Sequence, residues 1–144
     1  MQVQNYKNHS RIVPLYHLIL SIILIACLIF SVWNMYRAYE RGSGRLVAAT
    51  LCGFCIAFFI IEWYARTFAI VAQDRAIRAE ENLRHFALTG KLLDKRLTMP
   101  QVIALRFADD TEFLILSEKA ANENMKSGDI KKAIVNWRAD HHRA

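Results

Sequence analysis

Cysteine, proline and glycine are all scarce in this chain: three, two and five of 144 residues. Three cysteines cannot build a small secreted disulfide scaffold, and so little proline and glycine excludes collagen-like and low-complexity chains. Disorder is excluded from the other side, because 54% of the residues are hydrophobic and such a chain buries enough apolar surface to order itself. No phosphate-binding loop, Cys-x-x-Cys, nucleophile elbow or metalloprotease pattern is expected. Charge is absent in one place above all. From Ile12 to Tyr36 there is no Asp, Glu, Lys or Arg, and Arg11 and Arg37 bound the gap.

A stretch of about 20 apolar residues crosses a ~30 Å hydrocarbon layer, so residues 12–36 are predicted to form a transmembrane helix. A second uncharged stretch runs from Leu46 to Ile61. It continues past Glu62 and Arg66, which share one helix face at i,i+4 spacing near the end of the span, where charged groups reach the headgroups. Residues 46–66 are read as the second span. Residues 37–45, with Gly42 and Gly44, form a short polar turn between two antiparallel helices. Trp33, Tyr36 and Tyr39 mark the turn end, and Tyr16, Trp63 and Tyr64 the other, as aromatic belts do at membrane interfaces. Leu24-Ile25-Ala26-Cys27 resembles a lipoprotein cleavage box. The apolar run continues unbroken from Leu28 to Tyr36, however, so an uncleaved span is expected.

Lys7, Arg11, Arg75, Arg78 and Arg84 flank the spans on the side shared by both termini, against Arg37, Arg41 and Arg45 in the turn. The positive-inside rule then places both termini, and the polar tail 1–11, in the cytoplasm. Of the net charge of +6, only +2 lies in residues 73–144. The basic excess therefore marks membrane flanks and lipid contact, not nucleic acid.

From Leu46 to Thr89 there is no proline and only one glycine, Gly53. The second helix is expected to continue through a cytosolic extension, 67–89. In that extension Ala72, Ala76, Ala79, Leu83 and Phe86 recur at spacings of 4, 3, 4 and 3, a heptad-like stripe. It packs on the chain's own C-terminal domain or forms a seam for a second copy or partner helix. In the second span Ala49, Gly53 and Ala57 form a small-residue stripe that lets backbones approach closely. It receives the first span, or else another subunit.

Residues 90–144 are expected to form a small domain of three short helices after a stop at Thr89-Gly90. Thr98-Met99-Pro100-Gln101 is a capping box, with a helix ending near Phe107. Asp109-Asp110-Thr111-Glu112 starts the next helix. Ser127-Gly128-Asp129 starts the third, in which Ile130, Ala133, Ile134 and Trp137 make an i, i+3, i+4, i+7 stripe. Val102, Ile103, Phe107, Phe113, Leu116, Ile134 and Trp137 are the expected core. A unit this small is marginal alone. The fold class is thus an all-α membrane protein: a two-helix hairpin, an extended second helix and a small helical bundle.

Candidate chemistry is sparse. His17, Glu62 and Arg66 form a candidate intramembrane polar cluster. One haem-ligating histidine in a span needs a second at matching depth, and the second span has none, so His17 is read as an interfacial hydrogen-bonding group. His9 lies eight residues before His17, the adjacent pair His141 and His142 is read as a solvated tail, and Asp109, Asp110 and Glu112 as helix caps. Cys27, Cys52 and Cys55 lie within spans, where thiols stay protonated. No cofactor, metal or catalytic residue is expected.

Gln4-Asn5-Tyr6-Lys7-Asn8-His9-Ser10-Arg11, followed by Pro14-Leu15-Tyr16-His17, is similar to the opening of a family of small uncharacterised bacterial two-helix membrane proteins, a domain of unknown function. Ile103-Ala104-Leu105-Arg106-Phe107-Ala108-Asp109, Ile130-Lys131-Lys132-Ala133-Ile134 and Trp137-Arg138-Ala139-Asp140 resemble its later motifs. The resemblance covers nearly the whole chain and implies a bacterial inner-membrane setting. It carries no assigned activity. The expected function is a non-enzymatic adaptor or accessory subunit, contacting the bilayer and a protein partner or second copy. The alternative is a small membrane-embedded channel, carrier or redox subunit using His17, Glu62 and Arg66.

Overall fold

The computed structural model describes residues 5, 6, 8 and 13–140. Among those residues every regular element is helical, with one isolated antiparallel bridge between Ala108 and Trp137. The chain divides into two compact units, Ile12–Phe68 and Met1–Arg11 with Ala69–Ala144. One long helix belongs to both.

The first unit is a helical hairpin. A π-helical segment, Leu15–Leu20, leads directly into α1, Ser21–Arg41. The chain reverses within Gly42-Ser43-Gly44 and continues as α2, Arg45–Thr89. Gly42 and Gly44 have φ of 70° and 75°, a left-handed conformation that costs glycine nothing. Helix α1 runs beyond Tyr36 because Arg37–Arg41 contain no breaker. An Arg37–Glu40 pair at i,i+3 and an Arg41 Nε bond to the Arg37 carbonyl support that last turn. Both helices are long and apolar enough to cross a membrane.

The buried residues of the hairpin are Leu24, Ser31 and Ala38 on α1, with Ala48 and Cys55 on α2. They are mostly small, so the two backbones approach closely, and the Ser31 hydroxyl meets the Cys55 thiol at 3.3 Å. The large apolar side chains, among them Ile29, Phe30, Phe54 and Phe58, point outward. The expected packing stripe does not serve here. Ala49, Gly53 and Ala57 are all exposed, and a Cβ placed on Gly53 would meet nothing within 4 Å. Polar partners set the rotation of α2 instead: Cys55 faces Ser31, and Glu62 faces Tyr16 and Ser21.

In the second unit, the distal part of α2 packs with α3, Met99–Leu105, α4, Asp110–Glu123, and α5, Ser127–Ala133. Helix α2 ends at Gly90, whose φ is 74° and whose N–H reaches the Phe86 carbonyl at 2.7 Å. Thr98 and Gln101 form a reciprocal capping box at the start of α3. The Asp109 carboxylate caps α4 by accepting the Glu112 N–H at 2.8 Å. Asn124, φ 49°, closes α4 in the left-handed conformation that asparagine tolerates. The core joins Val102, Leu105, Phe107, Phe113, Leu116, Ile130 and Ile134 to Leu93, Leu97 and Ile77, with Ile103 and Trp137 partly buried against it.

The expected third-helix stripe is corrected. Helix α5 stops at Ala133, and Ile134 is extended. Glu112 causes this from α4: its carboxylate accepts the N–H groups of Val135 and Asn136 and the Asn136 side-chain amide. The Val135–Asn136 peptide groups are thereby drawn off the helical path. Trp137 reaches Phe107 through the bridge to Ala108, with the Arg138 N–H on the Phe107 carbonyl at 2.7 Å.

Candidate functional site

Three places in the fold gather polar or unpartnered groups. The first lies within the hairpin. Tyr16 and His17 come from the π-helical segment and Ser21 from the start of α1, and Glu62 and Arg66 from α2 one turn apart. The Tyr16 hydroxyl donates to the Glu62 carbonyl at 2.8 Å, and the Ser21 hydroxyl donates to the Glu62 carboxylate at 3.0 Å. The Arg66 guanidinium bonds His17 Nε2. Arginine is donor only, so Nε2 accepts, and the proton sits on Nδ1, which donates to the Val13 carbonyl at 3.0 Å. Both ring nitrogens are then occupied. The three predicted cluster residues do come together, but Glu62 and Arg66 make no ion pair with each other among the described residues. Each is taken instead by a partner on the neighbouring helix.

Beside this cluster the hairpin holds an apolar crevice of about 920 Å³, lined by Leu24, Cys27, Phe30, Leu51, Phe54 and Phe58 among others. The expectation of no Cys-x-x-Cys pattern is corrected here: Cys52-Gly53-Phe54-Cys55 has that spacing on α2. Both thiols are free, with Cys55 buried on Ser31.

The second place is the distal part of α2, where amphipathicity is inverted. The side packed on the small domain is charged. Glu81 is 5% exposed and Ile77 6%. Arg84 lies 4.3 Å over the Phe113 ring, donates to the Ala108 carbonyl at 2.8 Å, and pairs with Glu81 and Asp110. Arg78 donates to the Leu97 carbonyl at 2.6 Å, and Asn82 accepts from the Leu93 N–H. These bonds terminate the backbone groups of the 90–98 connection and of the α3–α4 link, which helical ladders leave open. The opposite side carries the heptad stripe. Ala72, Ala76, Ala79, Leu83 and Phe86 are all exposed, Leu83 by 68% and Phe86 by 52%. The stripe thus does not pack on the chain's own domain.

The third place joins Asn5 and Tyr6 to the end of α5. With Lys131, Lys132, Ile134, Val135 and Trp137 they border a shallow hollow of about 530 Å³. His9, His141 and His142 lie outside the described residues. Asp109, Asp110 and Glu112 are engaged as a cap, an Arg84 partner and a backbone acceptor. The Asp109 carboxyl is held below its usual range, first by the Glu112 N–H and then by the Thr111 hydroxyl. Asp94 is pulled down to about 2 by the Arg96 guanidinium. Among the described residues no group of three or more His, Cys, Asp or Glu is placed to hold a metal ion.

Helical structure among the described residues, two membrane-length apolar helices and an exposed apolar stripe define a class of protein and not a chemistry. Within that class the chain belongs to DUF6526, a family of unknown function whose model matches residues 1–144. No curated protein and no solved structure matches it.

Proposed function

We propose that this chain is a non-enzymatic integral membrane protein of the bacterial inner membrane, an adaptor or accessory subunit. Its hairpin is anchored in the bilayer, and its helical domain is offered to a protein partner or to a second copy. Both termini lie in the cytoplasm on this reading, following the excess of Lys and Arg near the span ends on that side. The observation that carries the proposal is the inversion of α2. A helix that turns Glu81 and Arg84 inward and Leu83 and Phe86 outward has its apolar face reserved for something else. The hairpin supports the membrane part of the reading, because small and polar residues are inside and large apolar ones outside, the pattern of helices packed in lipid.

The test is gentle extraction from native membranes and affinity capture. The proposal expects the full chain to come out as a complex. A monomer that captures nothing contradicts it.

A second reading rests on the gathering of His17, Glu62 and Arg66: a small channel, carrier or redox subunit. It expects Glu62→Gln to change a transport or growth phenotype and the purified protein to show a cofactor absorbance. An unchanged phenotype and a colourless protein contradict it.

A further inference from the structure

We infer that the outward stripe of α2 is a self-association seam, and that two copies of this chain pair along it in parallel and in register. This rests on the membrane-anchored reading above and names the partner.

The stripe has the a/d spacing of a two-stranded seam. Ala72, Ala79 and Phe86 take the d positions, and Ala76 and Leu83 the a positions. All five are exposed, while the small domain occupies the other side of the helix, so a second helix meets no obstacle within the unit. Alanines at Ala72, Ala76 and Ala79 allow a close approach, and Leu83 and Phe86 supply the larger knobs further along.

The flanking charges select the occupant. In this frame Arg75 is at g and Glu80 at e. In a parallel pair the g residue of one helix lies beside the following e residue of the other. Arg75 of each copy therefore meets Glu80 of the other, giving two symmetric pairs. Both side chains are exposed and make no ion pair or hydrogen bond among the described residues. An antiparallel pair on the same layers would put Arg75 by Asn82 and Glu80 by Gln73, and neither charge would gain a partner. A bilayer is a poor cover for the same reason, since Arg75 and Glu80 border the stripe on either side.

Two to three heptads are too short to associate strongly in dilute solution. The membrane removes that difficulty. Copies inserted with one topology run α2, Arg45–Thr89, in the same direction, as a parallel seam needs. Confinement to a surface also raises the effective concentration of one seam around another.

The experiment uses the full chain in native membranes with Cys27→Ala, Cys52→Ala and Cys55→Ser as background. Leu83→Cys is placed on the seam, and Leu88→Cys, also exposed, on the far side of the helix. Oxidation is expected to give a disulfide-linked product of twice the chain mass at Leu83→Cys, at least fivefold above Leu88→Cys. Arg75→Glu or Glu80→Arg alone should reduce it severalfold, and the two together should restore it. Equal linking at both positions, no linking at Leu83→Cys, or failure of the double exchange to rescue overturns self-pairing. A Leu83→Cys adduct of another mass overturns it too, while leaving the adaptor reading intact. Release of the chain from membranes by alkaline carbonate would instead remove the membrane-anchored reading, and self-pairing with it.

Discussion

The hairpin buries Ser31, Ala38, Ala48 and Cys55 and leaves phenylalanines and isoleucines outside, whereas the helical domain buries Phe107, Phe113, Leu105 and Ile130. One chain therefore follows two opposite burial rules, and the change falls along a single helix. A side chain's placement reports the solvent it was selected against. In water, large apolar groups must go inside. In lipid they gain nothing by it, and close backbone approach with a few polar links decides the packing. The distal part of α2 mixes the two rules, since Glu81 and Arg84 join Ile77 on its inner face while Leu83 and Phe86 lie outside. The proposed pairing rests on that anomaly.

Five predictions test the comparison. The largest effect is expected at the domain core. Phe113→Ala should destabilise the domain by about 3–5 kcal/mol, read by denaturant unfolding, while Phe54→Ala in the hairpin should change stability by less than ~0.5 kcal/mol. Equal losses would erase the distinction. Next comes the inverted face of α2. Arg84→Met keeps most of the packing on Phe113 but strands Glu81 in a buried place, at a cost of roughly 3 kcal/mol in the same unfolding experiment. A neutral result would mean that Glu81 is not buried as described.

Within the hairpin, Ala48→Leu overfills a closed contact and should cost about 1–3 kcal/mol in a detergent unfolding assay. Ala49→Leu, one residue on and exposed, should be silent. Glu112→Gln weakens the carboxylate that holds Val135 and Asn136, a loss of about 1 kcal/mol. Hydrogen exchange should quicken at those two amides, with a shift in the Trp137 emission. The smallest effect is acid sensitivity. Asp109 titrates below its usual range when folded because it caps α4. Its contribution is thus complete above the ordinary carboxylate range and lost as pH falls through the lowered value. Melting temperature should therefore drop on the acid side, and Asp109→Asn should blunt that drop.

Local features were legible in the sequence because their causes are local. The Thr98–Gln101 box, the Asp109 cap and the Gly90 stop each need only neighbouring residues, and each stands where the spacing placed it. The end of α5 was not legible, because the group that unwinds it is Glu112, on another helix. Which face of α2 meets the first helix was not legible for a related reason. Ala49, Gly53 and Ala57 are the right size, but size does not reveal that Ser31 and Tyr16 sit opposite Cys55 and Glu62. Charge alone gives no sign that Glu81 and Arg84 face inward, and the stripe opposite could equally be core. Only the placement of α3 and α4 shows which side of α2 is covered. The gathering of His17, Glu62 and Arg66 was legible from depth alone, but their individual partners were not.

The central claim is that lipid solvates the hairpin while water solvates the helical domain. Spin labels at Phe54, Phe58 and Ile115, each exposed in its unit, read this in reconstituted vesicles through collision with oxygen and with a water-soluble nickel chelate. The account predicts oxygen access without nickel access at Phe54 and Phe58, and strong nickel access at Ile115. Free nickel access at Phe54 and Phe58 would contradict it.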